Sequence, residues 1–322
     1  MFNIIKKLLP SLAPKIHIFI GRMYDFKKFS KHCSSVKPNI SKTKLQAYIT
    51  RQYHGIEKGL TLPNTRLGFG EPLIIAITNN LNTYISKFGL DNLVSHAASV
   101  LKKYKEFNAE VLEEDGDLTK RINSILNKVE NHNFLAHRDL SKDEIDKSTN
   151  FDFTAFMKTR RSVRDFAEGE VDYEVLKRCI LDAMESPSAC NRQGWRVRIY
   201  QGDKKDHILQ FQNGNRGFNS CINKVLFVTG YSEAYSYTER NGMIVDGSLF
   251  AMCLILAMHS RGIGSCPLNT SYTYKDEIKL RKGINLPLSE EPIMMIAVGN
   301  LKENYRVAAS PRKSIEDVLI ED

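Results

Sequence analysis

The spacing of apolar residues changes near residue 150, and this change constrains the fold more than any other feature of the sequence. Before it, four segments carry apolar side chains at three- and four-residue intervals, as amphipathic helices do: residues 44–52, 73–88, 90–113 and 118–131. After it, short alternating or fully apolar runs of strand length stand between helical patterns. We therefore predict a mostly helical region over residues 1–150 and an α+β domain over residues 151–322.

The second part contains the clearest individual elements. Residues 173–186 carry a single apolar stripe and predict a helix, whereas residues 195–200 alternate and predict a strand. Two further apolar runs have the length of buried strands: 224–229 and 292–298. Residues 243–259 are apolar nearly all round, which predicts a central buried helix that is ended by Gly262 and Gly264.

Two connections punctuate the helical region. Residues 53–70 contain four glycines and a proline, so we predict an ordered loop rather than a continued helix. Its His54, Lys58 and Arg66 would suit a mobile lid that binds an anionic group, but a fixed clamp explains the glycines equally well. A capping-box pattern begins at Ser141, and the polar stretch after it predicts the domain boundary near residue 150.

The net charge of +9 lies in the first fifty residues, which contain ten Lys or Arg side chains and one acid, Asp25. We favour an arm that packs on its own domain. A peripheral membrane contact through residues 1–40 is the alternative, because apolar residues recur there at roughly helical spacing. These residues are Phe2, Ile5, Leu8, Leu9, Leu12, Ile16 and Phe19. We expect no nucleic-acid partner.

The sequence predicts neither secretion nor a membrane span. Lysines and prolines interrupt the first twenty residues, so we predict no signal peptide. The longest apolar run, residues 249–258, is about half as long as a membrane span requires. The six cysteines form no CxxC pair, which favours a reducing, cytoplasmic setting.

Several common catalytic motifs are absent from the sequence. It contains no GxxxxGKS/T phosphate loop, no GxGxxG after a strand, no HExxH and no paired spacing of histidines. Nucleotide hydrolysis, zinc proteolysis and ordinary dinucleotide dehydrogenation are therefore disfavoured, and we predict no metal site.

Four polar clusters in the second part could hold a ligand. Arg160, Ser162 and Arg164 suit a phosphate dianion, because forked guanidinium donors match its oxygens. The two arginines would share one face if the turn is helical. Arg312 is another candidate phosphate contact. Taken singly, each cluster is equally well explained as solvated surface charge or an ordinary connection.

The other two clusters are rich in amide and backbone donors. In the segment 186–195, Asn191 and Gln193 offer amide groups that can read the edge of a planar heterocycle. Trp195 beside them is expected to anchor the core. Residues 262–269 predict a tight loop whose backbone N–H groups face a flat ligand.

In this order and separation, the four clusters resemble the nitroreductase family of FMN-dependent oxidoreductases. The resemblance rests on RRSVRDF at 160–166, SPSACNRQGW at 186–195, DGSLFAMCLILAMHSRGIGSCPL at 246–268 and SPRKSIEDV at 310–318. It covers roughly residues 151–322 and does not extend to the helical region. It implies a mostly antiparallel central sheet flanked by helices, bound FMN, and an intertwined homodimer with two flavins at its interface.

The resemblance also implies which residues bind the cofactor. Contacts to the FMN phosphate, ribityl chain and ring are expected from Arg160, Arg161, Ser162, Arg164 and Arg312. The segment that reaches the flavin from the other subunit would supply Pro187, Ser188, Ala189, Asn191 and Gln193. The loop beside the ring and its N5 atom would contain Pro267, Leu268 and Asn269. No catalytic side chain is implied.

The sequence departs from the family pattern at two positions. Gly194 replaces the usual proline before Trp195, which would loosen the loop. Asn269 replaces a frequent acidic residue near the place where a nicotinamide would dock, so NADH and NADPH both stay candidates. Five aromatic residues between 201 and 246 could stack on a substrate or fill the core: Phe211, Phe218, Tyr231, Tyr235 and Tyr237.

Together these features imply an oxidoreductase that passes hydride from NADH or NADPH through flavin N5 to an electron-poor small molecule in a ping-pong cycle. Other flavin chemistry on the same fold, such as dehalogenation or oxidation of a specialised metabolite, is one alternative. A non-catalytic, membrane-peripheral or scaffold protein is the other, and the basic arm suggests it.

Overall fold

The computed structural model describes residues 12–37, 41–130 and 134–321, so the apolar positions predicted at residues 2–9 lie outside it. The first part is helical, as predicted. Its helices are α1 (Leu12–His32), α2 (Lys42–Leu60), α3 (Glu71–Phe88), α4 (Asn92–Phe107) and α5 (Asp117–Leu126).

Helices α2 to α5 form a bundle around an apolar core of their own. Its fully buried side chains include Tyr84 and Tyr104. The Tyr104 hydroxyl donates a hydrogen bond to the Phe69 carbonyl (2.6 Å), which satisfies the one polar atom that the ring brings into the core. The apolar side chains that cover the sheet belong to separate clusters, and the predicted division near residue 150 falls between them.

The predicted loop over residues 53–70 is wrong in its first half, because α2 continues to Leu60. Tertiary packing overrides the low helix propensity of Gly59: a Cβ atom there would lie 2.1 Å from the Phe69 ring. The second half is a tight loop in which Gly68 adopts φ +70° and donates to the Asn108 side chain (2.7 Å). The glycines thus serve a fixed loop that is clamped to the bundle.

The second part alternates helices and strands. The capping box predicted at Ser141 begins the first of its helices. The helices are α6 (Lys142–Ser148), α7 (Phe153–Thr159), α8 (Tyr173–Ala183), α9 (Gly202–Leu209), α10 (Gly242–His259) and α11 (Tyr274–Ile284). The strands are β1 (Trp195–Gln201), β2 (Lys224–Tyr231), β3 (Ile263–Asn269) and β4 (Glu290–Asn300).

The four strands form one antiparallel sheet in the order β1-β2-β4-β3. Side chains alternate between its faces, so Leu226 and Val228 pack with α8 and α10, whereas Val225 and Phe227 pack with α9 and α11. Trp195 stacks on Phe250 of α10, with ring centroids 5.0 Å apart, as expected for a core anchor. The predicted α+β class with an antiparallel sheet is confirmed.

Helix α10 is less buried than its composition predicts, because the sheet and α8 cover only part of its surface. Four apolar side chains lie on an exposed face, with 36 to 54% of their surface accessible: Ile244, Val245, Leu249 and Met252. Within the described ranges, α10 is the single helix whose length and composition would suffice to cross a membrane, and 44% of its residues are buried inside the fold.

The tight loop predicted over residues 262–269 is instead strand β3, which pairs with β4 along its whole length. Gly262 does follow α10, with φ +68°. Gly264 lies inside the strand, where a Cβ atom would come within 2.9 Å of Leu301. Its role is close packing within the sheet and not helix termination.

Helix α1 packs against the second part of the chain through one buried lysine. The ammonium group of Lys28, 6% exposed, contacts Glu277 (2.5 Å), Glu291 (2.8 Å) and Asp25 (3.4 Å). These carboxylates lie close enough to hold a metal ion, but the lysine ammonium already occupies the space between them. Arg281 adds a second cation at Glu277 and Glu291. The basic arm therefore packs on its own domain over α1.

Candidate functional site

The predicted phosphate cluster is an extended segment beside β3. Residues 160–164 follow α7 and form no helix, so the helical turn considered for them is wrong. The Val163 amide donates to the Ser265 carbonyl (3.0 Å), and the Val163 side chain is buried. Because alternate residues of an extended chain point to one side, the side opposite Val163 carries Arg160, Ser162 and Arg164.

Three arginines lie near one another at the start of this segment. The Nε atom of Arg160 is buried and has no hydrogen-bond partner in the described part of the chain. Burial, together with the nearby charges of Arg161 and Arg312, lowers the pKa of the Arg160 guanidinium. Arg161 and Arg312 each donate to a main-chain carbonyl, at 3.0 and 2.6 Å. An unpartnered donor among uncompensated cations suits a doubly charged anion.

Ser162 and Arg164 lie beside Cys266 of β3. Burial raises the pKa of the Cys266 thiol, while the charge of Arg164 and a hydrogen bond with Ser162 act in the opposite direction. Cys266 is free, like the other five cysteines. The polar side of the segment thus follows β3 away from the arginine cluster.

The three residues expected beside the ring end the same strand: Pro267, Leu268 and Asn269. The Asn269 side chain accepts a hydrogen bond from the Ser271 amide (3.1 Å), and its carbonyl accepts one from the Gln212 side chain (2.8 Å). A strand rises about 3.3 Å per residue, so the five steps from Gly264 to Asn269 span roughly 17 Å. This length suits an elongated ligand with its anionic group at the arginine end.

The other predicted segment, residues 187–193, contains a strained turn. It includes a short 3-10 turn, Ala189–Asn191. Three side-chain-bearing residues adopt left-handed backbone conformations: Cys190 (φ +51°), Asn191 (φ +52°) and Gln193 (φ +49°). Each costs on the order of 1 kcal/mol, and such strain persists where surrounding contacts fix it, commonly at ligand sites.

Two buried contacts fix this turn. The Asp246 carboxylate of α10 accepts hydrogen bonds from the Ala189 amide (3.0 Å) and the Tyr235 hydroxyl (2.7 Å). The Arg192 guanidinium forms a bidentate pair with Glu239, with one arm at 2.8 Å. The sequence analysis missed these anchoring residues, because their contacts join positions 47 and 57 residues apart that no local motif connects.

Gly194 does not loosen the segment, contrary to the expectation from its replacement of proline. A Cβ atom at this position would lie 2.4 Å from the Tyr235 hydroxyl, so the glycine admits the ring beneath the backbone. The Gly194 carbonyl accepts from the Tyr231 amide (3.1 Å), and the Tyr231 hydroxyl donates to the Gln193 carbonyl (3.3 Å). Tyr231 and Tyr235 thus support the turn from inside the protein.

The remaining aromatic residues of this region divide between core and surface. Phe218 is buried and Phe211 packs against the same cluster, which favours the core interpretation for both. Tyr237 is exposed. His259, which the sequence analysis did not select, lies beside Arg160: its Nε2 atom is 3.1 Å from both the Phe156 carbonyl and the Thr159 hydroxyl. A single histidine at a helix end carries no sequence signal for such a position.

One chain does not bring the arginine cluster and the strained turn together. The turn is anchored at Asp246 near the start of α10, whereas the arginine cluster lies at His259, its last residue. Thirteen residues of α-helix separate these positions by about 20 Å. The predicted cofactor-binding residues therefore form two half-sites at opposite ends of one helix.

Comparison with known proteins supports the C-terminal assignment. The profile of the nitroreductase family matches residues 157–216 and 222–300. A protein named iodotyrosine deiodinase from Haliscomenobacter hydrossis is 23% identical over 204 residues, which cover 54% of this chain and 90% of that protein.

Two solved structures cover the same part of the chain. An FMN-dependent nitroreductase from Clostridium difficile has 19% identity and a TM-score of 0.45, with 53% of this chain and 99% of that chain covered. A nitroreductase-like protein from Streptococcus mutans has 20% identity and a TM-score of 0.45, with coverages of 53% and 98%.

The fold and the two half-sites define an α+β protein with an antiparallel sheet and a candidate anion site beside its edge strand β3. With the matching profile, they show that the C-terminal part of this chain belongs to the nitroreductase family. The resemblance read from the sequence is thereby confirmed over residues 157–300.

Proposed function

We propose that the C-terminal part of the chain binds FMN and works as an oxidoreductase. The observation that carries this proposal is the buried, unpartnered Nε of Arg160 beside Arg161 and Arg312. A phosphate dianion there would accept the hydrogen bond that the fold leaves unmade and would neutralise the clustered charge. The residues present therefore fit a mononucleotide phosphate.

The other residues would position the rest of the cofactor. Ser162 and Arg164 would contact the ribityl chain and ring edge, and residues 267–269 would lie beside the ring. When bound, FMN supplies hydride chemistry at N5, taking hydride from a reduced nicotinamide and passing it to an acceptor. The guanidinium of Arg164 and the amide of Asn191 provide fixed donors for negative charge on the ring edge. No side-chain acid or base is required.

We further propose a homodimer in which each flavin site combines the two half-sites from different copies. Two observations support it: the 20 Å separation along α10, and the exposed apolar face of that helix. A second copy packed on Ile244, Val245, Leu249 and Met252 would cover this face and would bring a strained turn toward the arginine cluster of its partner. The proposed partner is a second copy of this chain.

Two classes of acceptor are considered. The first is an electron-poor small molecule such as a nitroaromatic compound. The second is a halogenated aromatic compound, and the specific observation that favours it is the similarity to a protein named iodotyrosine deiodinase over 204 residues. Both classes take reducing equivalents from the same flavin, so they differ in the pocket above the ring and not in the cofactor site.

Visible spectroscopy of the purified protein tests the cofactor. We expect a yellow protein whose released chromophore has the mass of FMN. Adding NADH or NADPH without oxygen should bleach it, and a nitroaromatic compound or iodotyrosine should restore the colour. A protein that stays colourless after incubation with FMN would contradict the proposal and would favour a scaffold role.

A further inference from the structure

Helix α1 carries an apolar stripe on the side that faces away from the domain. Leu12, Phe19, Met23 and Phe26 are 39, 65, 49 and 65% exposed. Their spacing of seven, four and three residues places them on one face of an α-helix. A contiguous row of large exposed apolar side chains marks a contact site.

Positive charges flank this stripe on both sides. Lys15 and Arg22 lie along one edge, and Lys27 and Lys31 lie along the other, all of them exposed. The single acid of α1, Asp25, already pairs with the buried Lys28 (3.4 Å). The exposed surface of α1 is therefore apolar along its centre and cationic along its borders.

The opposite face of α1 holds the helix in place. Besides the Lys28 cluster, Phe29 packs against a small core formed by Ala47, Tyr235 and Met243. Just after the helix, the Ser34 amide donates to the Tyr235 carbonyl (2.8 Å). The fold thus presents the stripe in a fixed orientation.

We propose that α1 is an in-plane anchor that binds an anionic lipid surface, with the stripe among the acyl chains and the four flanking cations at the headgroups. Cationic amphipathic helices with exposed aromatic side chains bind membranes in this way. The charge pattern favours lipid over a second copy of the helix, because a two-fold contact between identical stripes would bring cationic borders together. This surface is independent of the flavin site and goes beyond the proposed function.

Sedimentation of the full-length protein with vesicles tests the anchor. We expect binding to phosphatidylcholine vesicles that contain phosphatidylserine, little binding to phosphatidylcholine alone, and release at about 1 M salt, where the Debye length is about 3 Å. Phe19→Ser combined with Phe26→Ser, and Lys15→Glu combined with Lys27→Glu, should each lower the partition coefficient at least about tenfold.

Matched variants serve as controls. Ile18→Ser removes an apolar side chain that is 63% exposed but lies on another face of α1, and it should leave binding unchanged. Lys102→Glu combined with Lys120→Glu reverses two exposed charges in the bundle and should do the same. Circular dichroism and gel filtration establish that each variant is folded.

Two outcomes would overturn the proposal. One is equal sedimentation of the Phe19→Ser/Phe26→Ser variant and the unmodified protein. The other is absence of vesicle binding together with conversion of a dimer to a monomer by the same two substitutions, which would assign the stripe to a contact between copies.

Discussion

Arg160 combines burial, positive charge and a missing hydrogen-bond partner in one side chain. A buried donor without a partner is costly, and evolution retains it where a ligand completes the contact. The neighbouring charges of Arg161 and Arg312 make the same point, because they would repel each other less with an anion between them.

Replacing Arg160 by alanine should weaken FMN binding about 10- to 100-fold, since a charge-assisted hydrogen bond contributes about 1.5–3 kcal/mol. The melting temperature of the flavin-free protein should change little, because the unmade hydrogen bond and the charge repulsion disappear with the side chain. Flavin fluorescence titration measures the affinity. Arg178→Ala, at an exposed position on α8, is the matched control and should bind FMN normally.

Glu239 makes the strained turn sensitive to acid. Hydrogen bonds with the Arg192 guanidinium lower the pKa of Glu239 to about 2, against an ordinary value of 4.5. A depressed carboxylate pKa stabilises the folded state above the unfolded pKa, and this stabilisation is lost as pH falls from about 5 toward 2. The contribution is about 1–2 kcal/mol after allowance for partial exposure of the pair.

Urea unfolding of the native protein and the Glu239→Gln variant at about pH 6 and pH 3 checks this sign. The native protein should lose more free energy of unfolding between these values than the variant does. Other carboxylates with lowered pKa, such as Glu290, titrate in both proteins and cancel in the difference. Identical losses in the two proteins would remove Glu239 from the account.

Among the elements, α2 links the helical bundle to the strained turn. Ala47 of α2 packs with Tyr235 and Met243, and Ala189 of the turn contacts the same cluster. The small side chain allows α2 to approach the turn closely. The bundle therefore acts as a support for the second half-site, although the nitroreductase profile does not include it.

Ala47→Leu should press on the turn and weaken flavin binding. Overpacking a buried position costs about 1–3 kcal/mol, and at this position part of the displacement falls on the turn. Ala97→Leu overpacks the bundle core instead, away from the turn, and should destabilise the protein without changing its affinity for FMN. Equal flavin affinity in the two variants would show that α2 does not support the half-site.

Periodicity predicted where the elements lie, but it did not predict those that tertiary contacts decide. The helical bundle, the strands and the antiparallel α+β class followed from apolar spacing and from the family resemblance. The glycines of α2 misled the analysis, because the close approach of Phe69 to Gly59 is visible only in the folded chain. Residues 262–269 were mistaken for a loop, since glycine and proline suggest a turn where β4 in fact supplies a pairing partner.

The candidate site divides in the same way. Side-chain chemistry identified the arginines and amides from the sequence, because those groups have few uses in combination. Asp246, Tyr235 and Arg192 were not found, since their role is to hold a backbone turn and depends on contacts between distant positions. The docking of α1 through Lys28 was beyond reach for the same reason, as it joins residues 249 positions apart.

For the whole molecule, the exposed face of α10 decides whether one copy can work alone. Its four apolar side chains are left uncovered although the rest of the sheet domain is well packed. An apolar patch of this kind on a central helix is typical of a subunit interface.

Val245→Glu combined with Leu249→Glu should convert a dimer to a monomer and abolish flavin binding, because two buried charges per copy cost several kcal/mol at an interface. Sedimentation velocity measures the mass and absorbance measures the flavin. Leu181→Glu, at another exposed apolar position, should change neither. A monomer that keeps its flavin would show that one chain assembles the whole site.

The length of α10 has a genetic consequence. If each pocket borrows its turn from the neighbour, a copy damaged at Arg160 and a copy damaged at Asn191 are both inactive alone, yet their mixture contains hybrids with one undamaged pocket. Co-expression of the two defective alleles should therefore rescue each other. Alleles damaged at the same end of the helix should fail to do so.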